Sequence, residues 1–90
     1  MQPSFHYLVH TCEVDFSAEP PRVTEIICTI AGFNSESYAM ELAQKHARAS
    51  SDYDSCIIVT TTDNEDAIRA MFRRGKLTGN FDTTMPGGGK

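Results

Sequence analysis

Two stretches of alternating apolar and polar residues, 4–16 and 22–31, flank the pair Pro20-Pro21. No other feature limits the fold as much. Period-two alternation sends successive side chains to opposite faces of a strand. Proline has no N–H and a fixed φ, so the pair ends a hydrogen-bonded ladder rather than extending it. The two stretches therefore predict an antiparallel hairpin. In the first, His6, Leu8, His10, Cys12, Val14 and Phe16 share one parity, which is assigned to the core. Tyr7, Val9, Glu13 and Asp15 share the other, which is expected to be exposed. In the second, Thr24, Ile26, Cys28 and Ile30 fall on one parity, and Gly32 ends the run.

Beyond the hairpin the period changes. Asn34 or Ser35 can cap a helix, with Glu36 in the first turn where a carboxylate suits the helix dipole. Tyr38, Ala39, Leu42, Ala43, His46 and Ala49 recur at three- and four-residue steps, predicting an amphipathic helix over 35–50. Residues 56–61 are short and β-branched, which predicts a third strand buried on both faces. Thr62 and Glu65 have capping-box spacing, so a second helix is expected through Arg74, with Ile68, Met71 and Phe72 inward and Gly75 as its stop. Residues 77–90 are rich in Gly, Thr and Pro and are expected to form a flexible tail after a single domain over 1–76.

The expected order is strand, strand, helix, strand, helix. Short connections favour a small α+β domain with a three-stranded antiparallel sheet, order 2-1-3, and both helices on one face. Such a sheet leaves one face and two edges open to a partner, including a second copy of the chain. No apolar run reaches the length a membrane helix needs, and the N-terminal residues do not form a secretory signal. A cytoplasmic location without membrane contact is therefore expected.

Charge is unevenly placed. Residues 1–66 carry three cations against eleven acids, net −8, and residues 67–90 carry five cations against one acid, net +4, for −4 in all. The acids Glu13, Asp15, Glu19 and Glu25 flank the hairpin, and Arg73 and Arg74 lead the basic group. Cations at a helix C-terminus also complement its dipole, which explains part of that group. The acidic balance disfavours a general nucleic-acid coat, because phosphate binding needs clustered cations.

Three cysteines, Cys12, Cys28 and Cys56, without a CxxC motif, read as buried reduced thiols rather than a disulfide framework. On one strand face His10 and Cys12 would lie about 6.6 Å apart, and a hairpin partner such as Cys28 could join them around zinc. Structural zinc ligands usually come from tight loops, so core cysteines and a rim histidine are the reading carried forward, with no metal and no cofactor. Catalysis by a cysteine would need a base such as His46 within hydrogen-bond reach, which spacing does not supply. Gly87-Gly88-Gly89-Lys90 is followed by no Ser or Thr and no helix, so it is not a phosphate-binding loop.

The strand order over 4–61 together with Gly88-Gly89 resembles a ubiquitin-like modifier or sulfur-carrier protein. The resemblance implies a function carried by the terminal glycines. Those folds lead a final strand directly into the Gly-Gly, whereas here an expected helix and coil intervene and Lys90 follows.

The residues best support a non-enzymatic module that binds another protein, one with a basic surface. One concrete form is an acidic inhibitor from a phage or other mobile element that blocks a nucleic-acid-binding surface. Tyr7, Val9, Glu13 and Asp15 are the expected contact face, with Arg73 and Arg74 as a secondary contact. The alternatives are the tail-dependent modifier and a nucleic-acid binder that uses the arginine end.

Overall fold

The computed structural model describes residues 6–49, 55–62 and 68–86. Its elements are β1 (Tyr7–Asp15), β2 (Arg22–Phe33), α1 (Glu36–Ala49), β3 (Ser55–Thr61), β4 (Ile68–Arg73) and β5 (Lys76–Leu77). Among the described residues this is an α+β fold with one helix and one antiparallel sheet. The sheet there has five strands, not the expected three, and its order is β2-β1-β3-β4-β5.

The hairpin forms across the proline loop, but its two strands differ in length. β1 has nine residues and β2 has twelve. The surplus is absorbed at three register shifts, which leave Thr24, Ile27 and Ile30 without a β1 partner. Each extra residue bends the strand and tightens its right-handed twist. β2 is therefore a strongly coiled edge, and its bulges oppose the expected edge pairing with a second copy.

α1 buries Ala39, Ala43 and Ala47, one turn apart, against Val9, Ile57, Val59, Ala70 and Phe72. Alanine brings a helix backbone close to a sheet. A fully buried Val or Ile contributes about 1.5–3 kcal/mol. Val9 is 0% exposed, so the face assigned to solvent is the one the helix covers. The opposite parity is also buried. Cys12, Val14, Val23, Cys56, Ile58, Ile68 and Met71 form a second core, with Phe16, Ile26, Phe81 and Met85 packed against it. The sheet is a middle layer with apolar cover on both sides, which is why parity alone misassigned Val9.

The second expected helix is a strand where the chain is described, and residues 63–67 lie outside the described residues. The reason is a further bulge. Val59 pairs with Ala70 and Thr60 with Ile68, leaving Arg69 unpaired between them. Ile68 and Met71 then share one face while Ala70 and Phe72 share the other. A three-residue step within a bulged strand copies the spacing of a helix. Gly75 does not stop a helix. It is the second centre of a tight turn joining β4 to β5, with φ 55° at Arg74 and 86° at Gly75. Two positive φ values across a two-residue loop define the type I′ hairpin turn.

Residues 77–86, expected to belong to a flexible tail, make main-chain hydrogen bonds. Thr78 N donates to Met71 O at 2.8 Å, and Asp82 N donates to Pro21 O at 2.7 Å. Thr83 O accepts from Ile68 N at 2.7 Å. Asp82 and Thr83 are neighbours about 3.8 Å apart along the chain, yet they join the start of β2 to the start of β4. Two strands lie between those starts, so the sheet must curl, and the bulges of β2 supply the curl. The second core lines the concave side of this curl. Residues 87–90, including Gly88 and Gly89, lie outside the described residues.

Candidate functional site

Three groupings carry the polar chemistry. The first is the distal end of the β1–β2 hairpin. Among the described residues β3 accompanies β1 as far as Glu13, and Val14 and Asp15 pair with β2 alone. On the helix side the row runs Thr11 opposite Cys28, Glu13 opposite Glu25 and Asp15 opposite Arg22. α1 does not cover it. The helix starts with Glu36 paired to Arg69 at the head of β4 and ends with Arg48 against Gly75, so it lies over the β3–β4 side. Two carboxylates facing each other across strands destabilise a sheet. Asp15 accepts from Ser17 Oγ at 2.6 Å and from Ser17 N at 2.9 Å. The Ser17 hydroxyl and amide hold its carboxyl below the usual carboxylate range, so it stays anionic.

Of the six residues expected to contact a partner, Glu13 and Asp15 share this end of the hairpin, and both are partly exposed. Val9 is buried beneath α1, and Tyr7 is half-buried against the same core. They do not form one exposed patch with the acids. Glu25, Cys28 and the exposed Ile27 are the neighbours that parity did not bring to this surface.

The second grouping is the turn that bears Arg73 and Arg74. The Arg73 guanidinium lies 3.8 Å from the centre of the Phe16 ring. Gln44 Nε2 donates to Gly75 O at 3.0 Å, fixing the turn to α1. Arg74 adopts a left-handed φ that favours Gly, Asn or Asp, and its side chain is exposed. The cations thus belong to a β-turn, not a helix end, and the helix-dipole explanation for them falls away.

The third grouping lies on the concave side. His10 Nδ1 is 2.8 Å from Thr29 Oγ1, and His10 Nε2 is 3.0 Å from Thr60 Oγ1. One imidazole thus ties β2, β1 and β3 together. Burial holds His10 below its ordinary pKa, favouring the neutral ring. Sequence reading placed His10 at the sheet rim. The missed signal is the run Thr60-Thr61-Thr62, which puts a hydroxyl on the central strand β3, next to β1.

His10, Cys12 and Cys28 do not gather at one point. The shift at Ile27 turns Cys28 to the helix side, where its Sγ is 3.3 Å from Thr11 Oγ1. Cys12 faces the concave core and donates to Cys56 O at 3.5 Å. Burial first, and then the neighbouring Cys56, push the Cys12 thiol up to about 12. Cys12 and Cys56 are buried reduced thiols, while Cys28 is exposed rather than buried as expected. Among the described residues no three His, Cys, Asp or Glu side chains are placed to hold a metal ion. His46 is exposed on the last turn of α1.

No family model matches the chain, and no curated protein or solved structure does either. The ubiquitin-like resemblance thus rests on residues 4–61 and the terminal glycines alone. No helix among the described residues is long and apolar enough to cross a membrane.

Proposed function

We propose that this chain is a small non-enzymatic protein-binding module whose acidic hairpin end docks on a basic protein surface. One observation carries the reading. Glu13 stands opposite Glu25 on the part of the hairpin that α1 leaves open. The two carboxylates and Asp15 concentrate negative charge at this end of the hairpin, and their field draws a cationic surface and speeds its approach. Asp15, kept anionic by Ser17, adds charge at the tip, and exposed Ile27 and Cys28 add apolar contact beside it. An inhibitor that covers the nucleic-acid groove of a basic protein is the concrete form this chemistry fits.

The test is capture of a basic partner from the native host across a salt series. Affinity should fall as ionic strength rises, since exposed charges more than about 8 Å apart are screened at physiological salt. Replacing Glu13 and Glu25 by lysine should abolish capture. Binding that ignores both salt and charge reversal rules the reading out.

The arginine turn favours a second reading, contact with a phosphate backbone. Arg74 sits in a left-handed conformation that its residue type disfavours, and its guanidinium is exposed. A gel shift that weakens steeply with salt and is lost in Arg74→Asn supports it. No shift at low salt removes it.

A further inference from the structure

The concave side of the sheet carries an opening of about 370 Å³ lined by Leu8, His10, Thr60, Thr61, Thr62 and Met85. It lies on the face opposite Glu13 and Glu25, because His10 and Leu8 have the other parity of β1. Neither the protein-binding reading nor the arginine turn uses it. We propose that this opening is a binding site for a small, uncharged, hydroxyl-bearing apolar molecule.

The size fits, because sites that enclose small ligands span roughly 300–1,000 Å³. No charged residue is among the described residues that line it. A charge buried among these Leu, Thr and Met side chains loses hydration that they do not replace. Leu8 and the Met85 thioether supply apolar contact, and methionine adapts its shape to the body it meets.

The polar wall is set by the His10 row. A neutral imidazole has one donor nitrogen and one acceptor nitrogen. If Nε2 carries the proton it donates to Thr60 Oγ1, and the Thr60 hydroxyl hydrogen is free to point elsewhere. If Nδ1 carries the proton, Thr60 donates to Nε2 and offers only lone pairs. Thr60 therefore presents a donor in one tautomer and an acceptor in the other. A ligand hydroxyl, which does both, is satisfied in either state. A carbonyl is satisfied in one only. Because both ring nitrogens are already bonded, at 2.8 and 3.0 Å, the wall is fixed before a ligand arrives.

Met85 also forms a wall of a second opening of about 410 Å³, shared with Arg22, Thr24 and Asp82. Met85 is thus common to the two openings.

Three probes with one body test the site: 2-naphthol, naphthalene and 2-naphthoate. Each is titrated into the full chain and followed by amide chemical shifts. 2-Naphthol should bind saturably, with shifts at Leu8, His10, Thr60, Thr61, Thr62 and Met85. Naphthalene should bind roughly three- to tenfold more weakly, the worth of one hydrogen bond. 2-Naphthoate should not bind. Thr60→Val should reduce 2-naphthol to the affinity of naphthalene. If that variant fails to fold, Leu8→Trp, which fills the chamber from its rim, should block all three probes. The proposal is overturned if 2-naphthol does not saturate, if its shifts fall elsewhere, or if 2-naphthoate binds equally well. A protein partner captured through Glu13 and Glu25 would be unaffected by any of these outcomes.

Discussion

Gly75 packs against Arg48. A Cβ built on the glycine would lie 3.1 Å from the Arg48 Cβ and 3.3 Å from its Cα. Arg48 belongs to the last turn of α1, so the β4–β5 turn and the helix end approach as closely as a glycine permits. The same residue has φ 86°, a conformation that L side chains rarely adopt. Gly75→Ala meets both obstacles and should lower stability by at least about 1–2 kcal/mol in urea unfolding. Arg74→Asn, at φ 55°, should be neutral or stabilising because asparagine tolerates that region. A Gly75→Ala chain as stable as the parent would show that the turn is not held against the helix.

The buried imidazole of His10 makes stability pH-dependent. Burial holds its folded value below 6.5, and the unfolded chain regains the ordinary value. Between the two, the unfolded state binds the proton first, so stability falls as pH drops below about 6.5, and the contribution of neutral His10 is gone below the folded value. Urea midpoints measured from pH 7.5 down to pH 5 should fall in the parent and stay flatter in His10→Gln. Asp15 and Asp82 have the same sign in a lower window. Ser17 and Thr84 hold their carboxyls below the ordinary 3.8, so that contribution is present above 3.8 and fades only at more acid pH. A parent midpoint unchanged down to pH 5 would mean that His10 is solvated.

How much of this was legible in the sequence turns on the bulges. Tyr7–Asp15 and Glu36–Ala49 each keep one period throughout, and strand and helix follow. β4 does not. The extra residue Arg69 sets Ile68 and Met71 on one face, and no local signal separates that step from a helical turn. The same cause hid the site. The shifts along β2 move Cys28 away from Cys12 and bring Thr29 to His10, so period two fails on that strand. Val9 was misplaced for another reason. Alternation identifies two faces, but it cannot say that both are covered, here by α1 on one side and by Phe81 and Met85 on the other.

Thiol reactivity separates the three cysteines. Cys28 is exposed on the edge strand, while Cys12 and Cys56 are buried, and the Cys12 thiol is pushed up to about 12. The thiolate is the reactive form, so Cys12 is inert in the folded chain at neutral pH. An aromatic disulfide reagent should label one thiol rapidly, and Cys28→Ser should remove that phase. The other two should appear only on unfolding. Two rapid thiols in the native protein would show that the concave core opens readily.

The last prediction separates a functional acid from a structural one. Glu25 stands opposite Glu13 and is exposed at the edge of the sheet. Glu25→Lys places an opposite charge directly across from Glu13, and a favourable cross-strand charge pair contributes roughly 0.2–1 kcal/mol, so stability should rise by about that much. If the acidic hairpin end contacts a basic partner, the same change should weaken binding and flatten its salt dependence. The two effects have opposite signs, which a structural role alone cannot produce. Urea unfolding and a salt-resolved binding titration on the one variant measure both. Higher stability with undiminished binding would assign Glu25 to neither role and move the contact surface away from the hairpin.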